Sequence, residues 1–96
     1  MEVDKVIAAL DSELRREILR IVSKEPMTAI QVFEDLKKSR MKIKYRETVY
    51  RGLEKLFDAG LVDKFYVNEK GLCYKATAKS ISIDIVEGKV EKEPSM

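Results

Sequence analysis

Histidine is missing altogether, and cysteine occurs once, at Cys73. A single thiol excludes an internal disulfide. Without imidazole the chain lacks the usual proton carrier near neutral pH and the nitrogen ligands from which paired metal sites are built. No stretch approaches the roughly 18 consecutive apolar residues that a membrane-spanning helix requires. The opening MEVDKV is acidic and has no signal-peptide core, so a cytoplasmic location is expected. No phosphate-cradling glycine loop, nucleophile-base pair or metal-ligand cluster can be found. Catalysis, cofactors, a bound metal and a membrane partner are therefore not expected.

What is present is charge, unevenly spread. Charged residues make up 38% of the 96, against roughly 25% in an average protein. The excess is in Lys, Arg and Glu, as in proteins from hot environments. The net charge of +2 conceals an acidic end: residues 81–96 hold four acids and two bases, leaving +4 on the first eighty. A chain of this length makes one domain with a modest core.

The organising stretch is Tyr45 to Gly60, YRETVYRGLEKLFDAG. Val49, Leu53, Leu56 and Phe57 recur at the spacing of one apolar helical stripe. The opposite face carries Arg46, Glu47, Tyr50, Arg51 and Glu54, with long polar side chains in its first two turns. Before it, six of the ten residues from Lys37 to Arg46 are basic (Lys37, Lys38, Arg40, Lys42, Lys44, Arg46) and none is acidic. A polyanion is the partner such a segment fits, and double-stranded DNA is the one expected.

In chain order, Val3 to Leu10 reads as a short helix with Val3, Ile7 and Leu10 on one face. Asp11 and Ser12 are N-cap candidates for a second, whose stripe is Leu14, Ile18, Ile21 and Val22 and which stops before Pro26. Thr28 and Gln31 fit a capping box opening a third helix with Ala29, Val32, Phe33 and Leu36 inward. Met41 and Ile43 are expected to pin the basic loop, and Gly60 to end the long helix. Leu61 to Val67 and Leu72 to Thr77 flank a turn at Asn68 to Gly71 and predict a β-hairpin, with Tyr66 and Tyr74 as cross-strand partners. Ile81, Ile83 and Ile85 alternate with polar residues as in a half-buried strand, turned back at Glu87-Gly88 through Lys89 to Glu91. Glu93 to Met96 is expected to be disordered.

The order of these elements, with AALDSELRREILRIV, TAIQVFEDL and ETVYRGLEKLFDAGLVDK, resembles a winged helix-turn-helix of the ArsR-like kind over about residues 3 to 77. The implied fold is α+β: helices, a hairpin wing, then a C-terminal β segment. The resemblance implies a homodimeric, sequence-specific transcription regulator, read as a repressor. Arg46, Glu47, Thr48, Tyr50 and Arg51, led in by Tyr45, would meet the DNA groove, and Lys64 and Lys70 on the wing would meet the backbone. The chain departs from that family in its longer loop from Lys37 to Lys44, in lacking the metal-sensing cysteine motif, and in its C-terminal segment. There an isoleucine-alternating stretch stands where a dimerisation helix is usual. The dimer contact is accordingly assigned to Val3, Ile7, Leu10, Ile81, Ile83, Ile85 and Val90. This divides the chain into a DNA-binding unit (1–80), a dimer contact (81–92) and a tail. A winged-helix adaptor for proteins and an architectural DNA binder with little sequence choice are the rival readings. Cys73 reads as a small buried hydrophobe, with a redox switch as the minor alternative.

Overall fold

The computed structural model describes residues 2–94. Four helices come first, α1 (Glu2–Leu10), α2 (Glu13–Lys24), α3 (Ala29–Lys37) and α4 (Arg46–Asp58), with a two-residue strand β1 (Met27–Thr28) between α2 and α3. Two antiparallel hairpins follow: β2 (Val62–Val67) with β3 (Gly71–Ala76), and β4 (Ala78–Asp84) with β5 (Lys89–Pro94). β1 pairs with β3, giving a three-stranded sheet in the order β1-β3-β2, and β4-β5 forms a second sheet. The mixed α+β winged-helix architecture is the expected one.

Local chemistry sets the helix ends. Ser12 Oγ accepts from the Arg15 amide at 3.2 Å, and Thr28 and Gln31 complete the reciprocal capping box. The C-terminal carbonyls of α1 are met by arginines from α2: Arg15 donates to Ala9 and Ala8, and Arg16 to Leu10. At the end of α4, Gly60 has φ +76°. Its amide bonds to the Phe57 carbonyl, while the Leu61 amide reaches back to Leu56, both at 2.9 Å. This is the Schellman geometry, and it buries Leu61 beside Leu56 in the core.

The core draws Val6 and Ala9 from α1, Ile18, Ile21 and Val22 from α2, Val32 and Leu36 from α3, and Val49, Leu53 and Leu56 from α4. Leu61, Val62, Tyr74 and Ala76 close it from the β side. Gly52 is also buried, because α4 meets α2 there: a Cβ at position 52 would lie 2.9 Å from Ile18 Cδ1. In α1, Val6 and Ala9 point inward, and Ile7 faces out with 51% exposure.

Several expectations are corrected. Phe57 is not core but 36% exposed, at the rim where α4 meets β2. Tyr66 and Tyr74 are not opposite each other: Tyr66 faces Leu72 and Tyr74 faces Lys64. The C-terminal strand begins earlier than expected, at Ala78, and ends at Asp84, so Ile85 lies in the connecting turn rather than in the strand. There the Gly88 amide bonds back to the Asp84 carbonyl at 2.8 Å and the Glu87 amide to its side chain at 2.9 Å. Glu93 and Pro94, expected to be disordered, complete β5, whereas Ser95 and Met96 lie outside the described residues. The β4-β5 hairpin is tied to the end of α4 by Lys92 Nζ, which donates to the Gly60 carbonyl at 2.9 Å, and Thr77, just before β4, donates to the same carbonyl through Oγ1 at 2.9 Å.

The α4-α2 contact yields an expected outcome. Gly52→Val should add helix propensity yet lower stability by about 2 kcal/mol through overpacking, which corresponds to a fall in Tm of roughly 10 °C. A thermal melt followed by circular dichroism measures it.

Candidate nucleic-acid interface

Between α3 and α4 the chain turns and bends from Lys38 to Met41 and then has no regular structure to Tyr45, and alternation decides which side chains meet water. Met41 and Ile43 pack against the core, so Arg40, Lys42 and Lys44 are turned outward. The segment starts from a local lock in which Ser39 Oγ donates to the Leu36 carbonyl at 2.7 Å and accepts from the Met41 amide at 3.1 Å. Lys37 and Lys38, at the end of α3, are exposed, with the Lys37 ammonium 5.3 Å from the centre of the Phe33 ring.

The segment delivers the chain into α4. Tyr45 occupies the N-cap without a side-chain bond to the helix, its ring 69% exposed. The Thr48 amide bonds back to the Tyr45 carbonyl at 3.2 Å, which leaves the Arg46 and Glu47 amides without a side-chain cap at the end where the helix dipole favours anions. Arg46, Glu47, Thr48, Tyr50 and Arg51 are all exposed. Glu47 and Arg51 approach to 3.8 Å with both side chains in water, a pairing too weak to withhold the guanidinium from a ligand. Lys70 is exposed in the hairpin turn, where Glu69 takes a left-handed φ of +72°. Thus twelve of the thirteen residues singled out for DNA lie on accessible surface of α3, the basic segment, α4 and the turn.

Lys64 is the thirteenth, and it is occupied. Its ammonium donates to both oxygens of Glu54, at 2.9 and 3.0 Å, and stands 4.2 Å over the Phe57 ring. Strand phase explains this: Lys64 is two residues from buried Val62, so it points to the face that covers α4. Glu54, placed on the polar face of α4, joins that helix to the hairpin and also accepts from the Tyr74 hydroxyl at 3.1 Å. Burial first, then the adjacent Glu54 carboxylate, with a smaller push from Tyr50, raise the Tyr74 ionisation well above the ordinary phenol range. Sequence reasoning missed this cluster and also Tyr66, 81% exposed near the hairpin tip.

Residues 11–92 match the Ferric uptake regulator family. The chain belongs to that family. Among solved structures, the ArsR-like transcriptional regulator from Rhodococcus sp. RHA1 is 29% identical with a TM-score of 0.62, over 78% of this chain and 64% of that one. A manganese uptake regulator is 26% identical with a TM-score of 0.58, over 88% of this chain and 65% of that one. The chain thus spans just under two thirds of each neighbour's length. No curated protein matches it.

The Ferric uptake regulator family and both neighbours are named as regulators, and the winged-helix architecture is shared between those neighbours and this chain. A solved structure named ArsR-like is among the neighbours, while the family that matches is a different one. The expectation of no metal runs against a family and a neighbour named for iron and manganese uptake. Yet the residues do not fit a metal centre within one chain: Cys73 is buried in the sheet, and no three Cys, Asp or Glu side chains cluster among the described residues. No described helix is long and apolar enough to cross a membrane.

Tyr74 provides a pH test. Its folded-state ionisation is raised, so its stabilising effect is complete below the unfolded value near pH 10 and is lost as pH rises beyond it. Tyr74→Phe should cost about 1 kcal/mol at neutral pH and should flatten the fall in Tm above about pH 10. Melts of both proteins between neutral and strongly alkaline pH check this.

Proposed function

We propose that this member of the Ferric uptake regulator family is a sequence-specific repressor that binds DNA as a homodimer. Its reading surface is α4, led in by the cationic segment. The observation that carries the reading is the division of labour between Lys37 and Arg51. Met41, Ile43 and Val49 hold the backbone to the core, while Arg40, Lys42, Lys44, Arg46 and Arg51 are left in water on one continuous stretch. Cations spaced along such a segment meet phosphates and set register, whereas an arginine in the first turns of a groove-bound helix can bond bidentately to a guanine edge. Glu47 fits the helix N-terminus electrostatically and could accept from a cytosine amine. Lys70 serves the wing.

For the dimer, the support is apolar surface at the far side. Ile85 and Val86 are 90% and 95% exposed in the β4-β5 turn, and Ile7 and Ile83 are also exposed. Val3 is half-buried, and Leu10, Ile81 and Val90 already pack on their own core, so they would form the base of the contact rather than its reach. The proposed division of the chain accordingly falls after Thr77, with the β4-β5 hairpin as the dimerising element. Two α4 helices related by a twofold axis call for half-sites about 10 base pairs apart, or a multiple.

Two measurements test the proposal. Duplexes selected from a random pool should bind with an affinity that falls linearly with salt on logarithmic axes. Each cation removed from Arg40, Lys42 or Lys44 should reduce the slope by about one. Arg46→Ala with Arg51→Ala should abolish preference for the selected duplex, and retention of that preference would refute the surface. In sedimentation, Ile85→Asp with Val86→Asp should shift dimer to monomer while leaving the fold intact.

A further inference from the structure

We infer that Glu54 is a positioning residue that sets the angle between the reading helix and the wing, and through that angle the choice of DNA sequence. This rests on the function proposed above. Glu54 sits in α4 one turn beyond the exposed readers. Its carboxylate takes the Lys64 ammonium on both oxygens, at 2.9 and 3.0 Å, and the Tyr74 hydroxyl on Oε2 at 3.1 Å. Lys64 and Tyr74 are register partners on β2 and β3, so one carboxylate grips both strands of the wing at the same level. Phe57, on the same helix, holds Lys64 from a second side with its ring 4.2 Å from the ammonium.

Four features set this link apart from an ordinary surface ion pair. The Lys64 and Glu54 side chains are only 28% and 38% exposed, and Tyr74 is fully buried. The partners come from three different elements, the carboxylate is used on both oxygens, and the neutral hydroxyl adds direction that a point charge lacks. Mobile exposed pairs contribute little, but a pair already immobilised by a buried phenol gives up little further freedom. With Glu54 this close, the charge of Lys64 is compensated, which leaves Lys70 as the cation of the wing's turn for phosphate.

Leverage makes the anchor matter. From Lys64 to the turn is about four residues, or roughly 13 Å of strand, so a tilt of about 10° at the anchor moves the tip by about 2 Å. Backbone contacts made by the tip fix register, and register decides which base edges Arg46 and Arg51 can reach. Loosening the anchor therefore costs discrimination before it costs non-specific attraction.

The experiment uses the full chain, comparing wild type with Glu54→Gln, Tyr74→Phe and, as a charge-matched control on the same helix, Asp58→Asn. Affinity is measured for the duplex selected by wild type and for a scrambled duplex, at one salt concentration, alongside Tm and hydrogen exchange of the DNA-free protein. Glu54→Gln is expected to lower the ratio of the two affinities about tenfold, while binding to the scrambled duplex changes by less than about twofold. It should also speed exchange of β2 and β3 amides about tenfold relative to α2. Tyr74→Phe should follow in the same direction, and Asp58→Asn should match wild type. A folded Glu54→Gln protein that keeps both its discrimination and its hairpin protection overturns the inference. If wild type prefers no duplex, the proposed function and the sequence-selecting role both fall, and exchange then decides only whether Glu54 holds the wing.

Discussion

Everything the molecule offers to a partner depends on how closely α4 is held against α2. Position 52 has no room for a β-carbon before Ile18 intervenes, and Val49, Leu53 and Leu56 are sealed on the same side. A glycine inside a helix normally costs about 1 kcal/mol of propensity, and here the cost is offset by interhelical contact along the whole stripe. The rotation of α4 about its axis is thereby fixed. With its inward face fixed, the outward face is fixed too, and Arg46, Tyr50 and Arg51 are placed in water by packing rather than by any bond of their own.

The two hairpins extend this frame differently. β2-β3 completes the core through Val62, Tyr74 and Ala76 and projects a turn carrying Glu69 and Lys70 beyond it. β4-β5 attaches through Ile81, Val90 and the Lys92 bond to the Gly60 carbonyl. Along the chain the charge is uneven: Lys37 to Arg46 holds six bases and no acid, whereas the later hairpin sets Asp84, Glu87, Glu91 and Glu93 against Lys79, Lys89 and Lys92.

Much of this was legible from residue order. The capping box at Thr28, the stop before Pro26, the glycine exit at Gly60 and the apolar phase of α4 are local signals, and local chemistry decided them. Met41 and Ile43 were readable as anchors because nothing else apolar interrupts the basic loop. The membership in the Ferric uptake regulator family was not, because fold-level pattern does not separate winged-helix families. Other errors had one source, in that pairing across the chain has no local signature. Lys64 looked like a free wing cation until its strand phase against Val62 was known. Tyr66 and Tyr74 looked like partners until the register set them two residues apart. Ile85 continued an alternation that the Asp84 turn cut short. The two-residue strand β1 exists only because β3 lies alongside it.

Cys73 has a practical consequence. It is the only sulfhydryl in the chain, and it sits within β3 opposite Phe65 on one side and Thr28 on the other, shielded from water. A thiol-directed reagent can reach it only when the three-stranded sheet separates, so its labelling rate is a clock for the opening of that sheet.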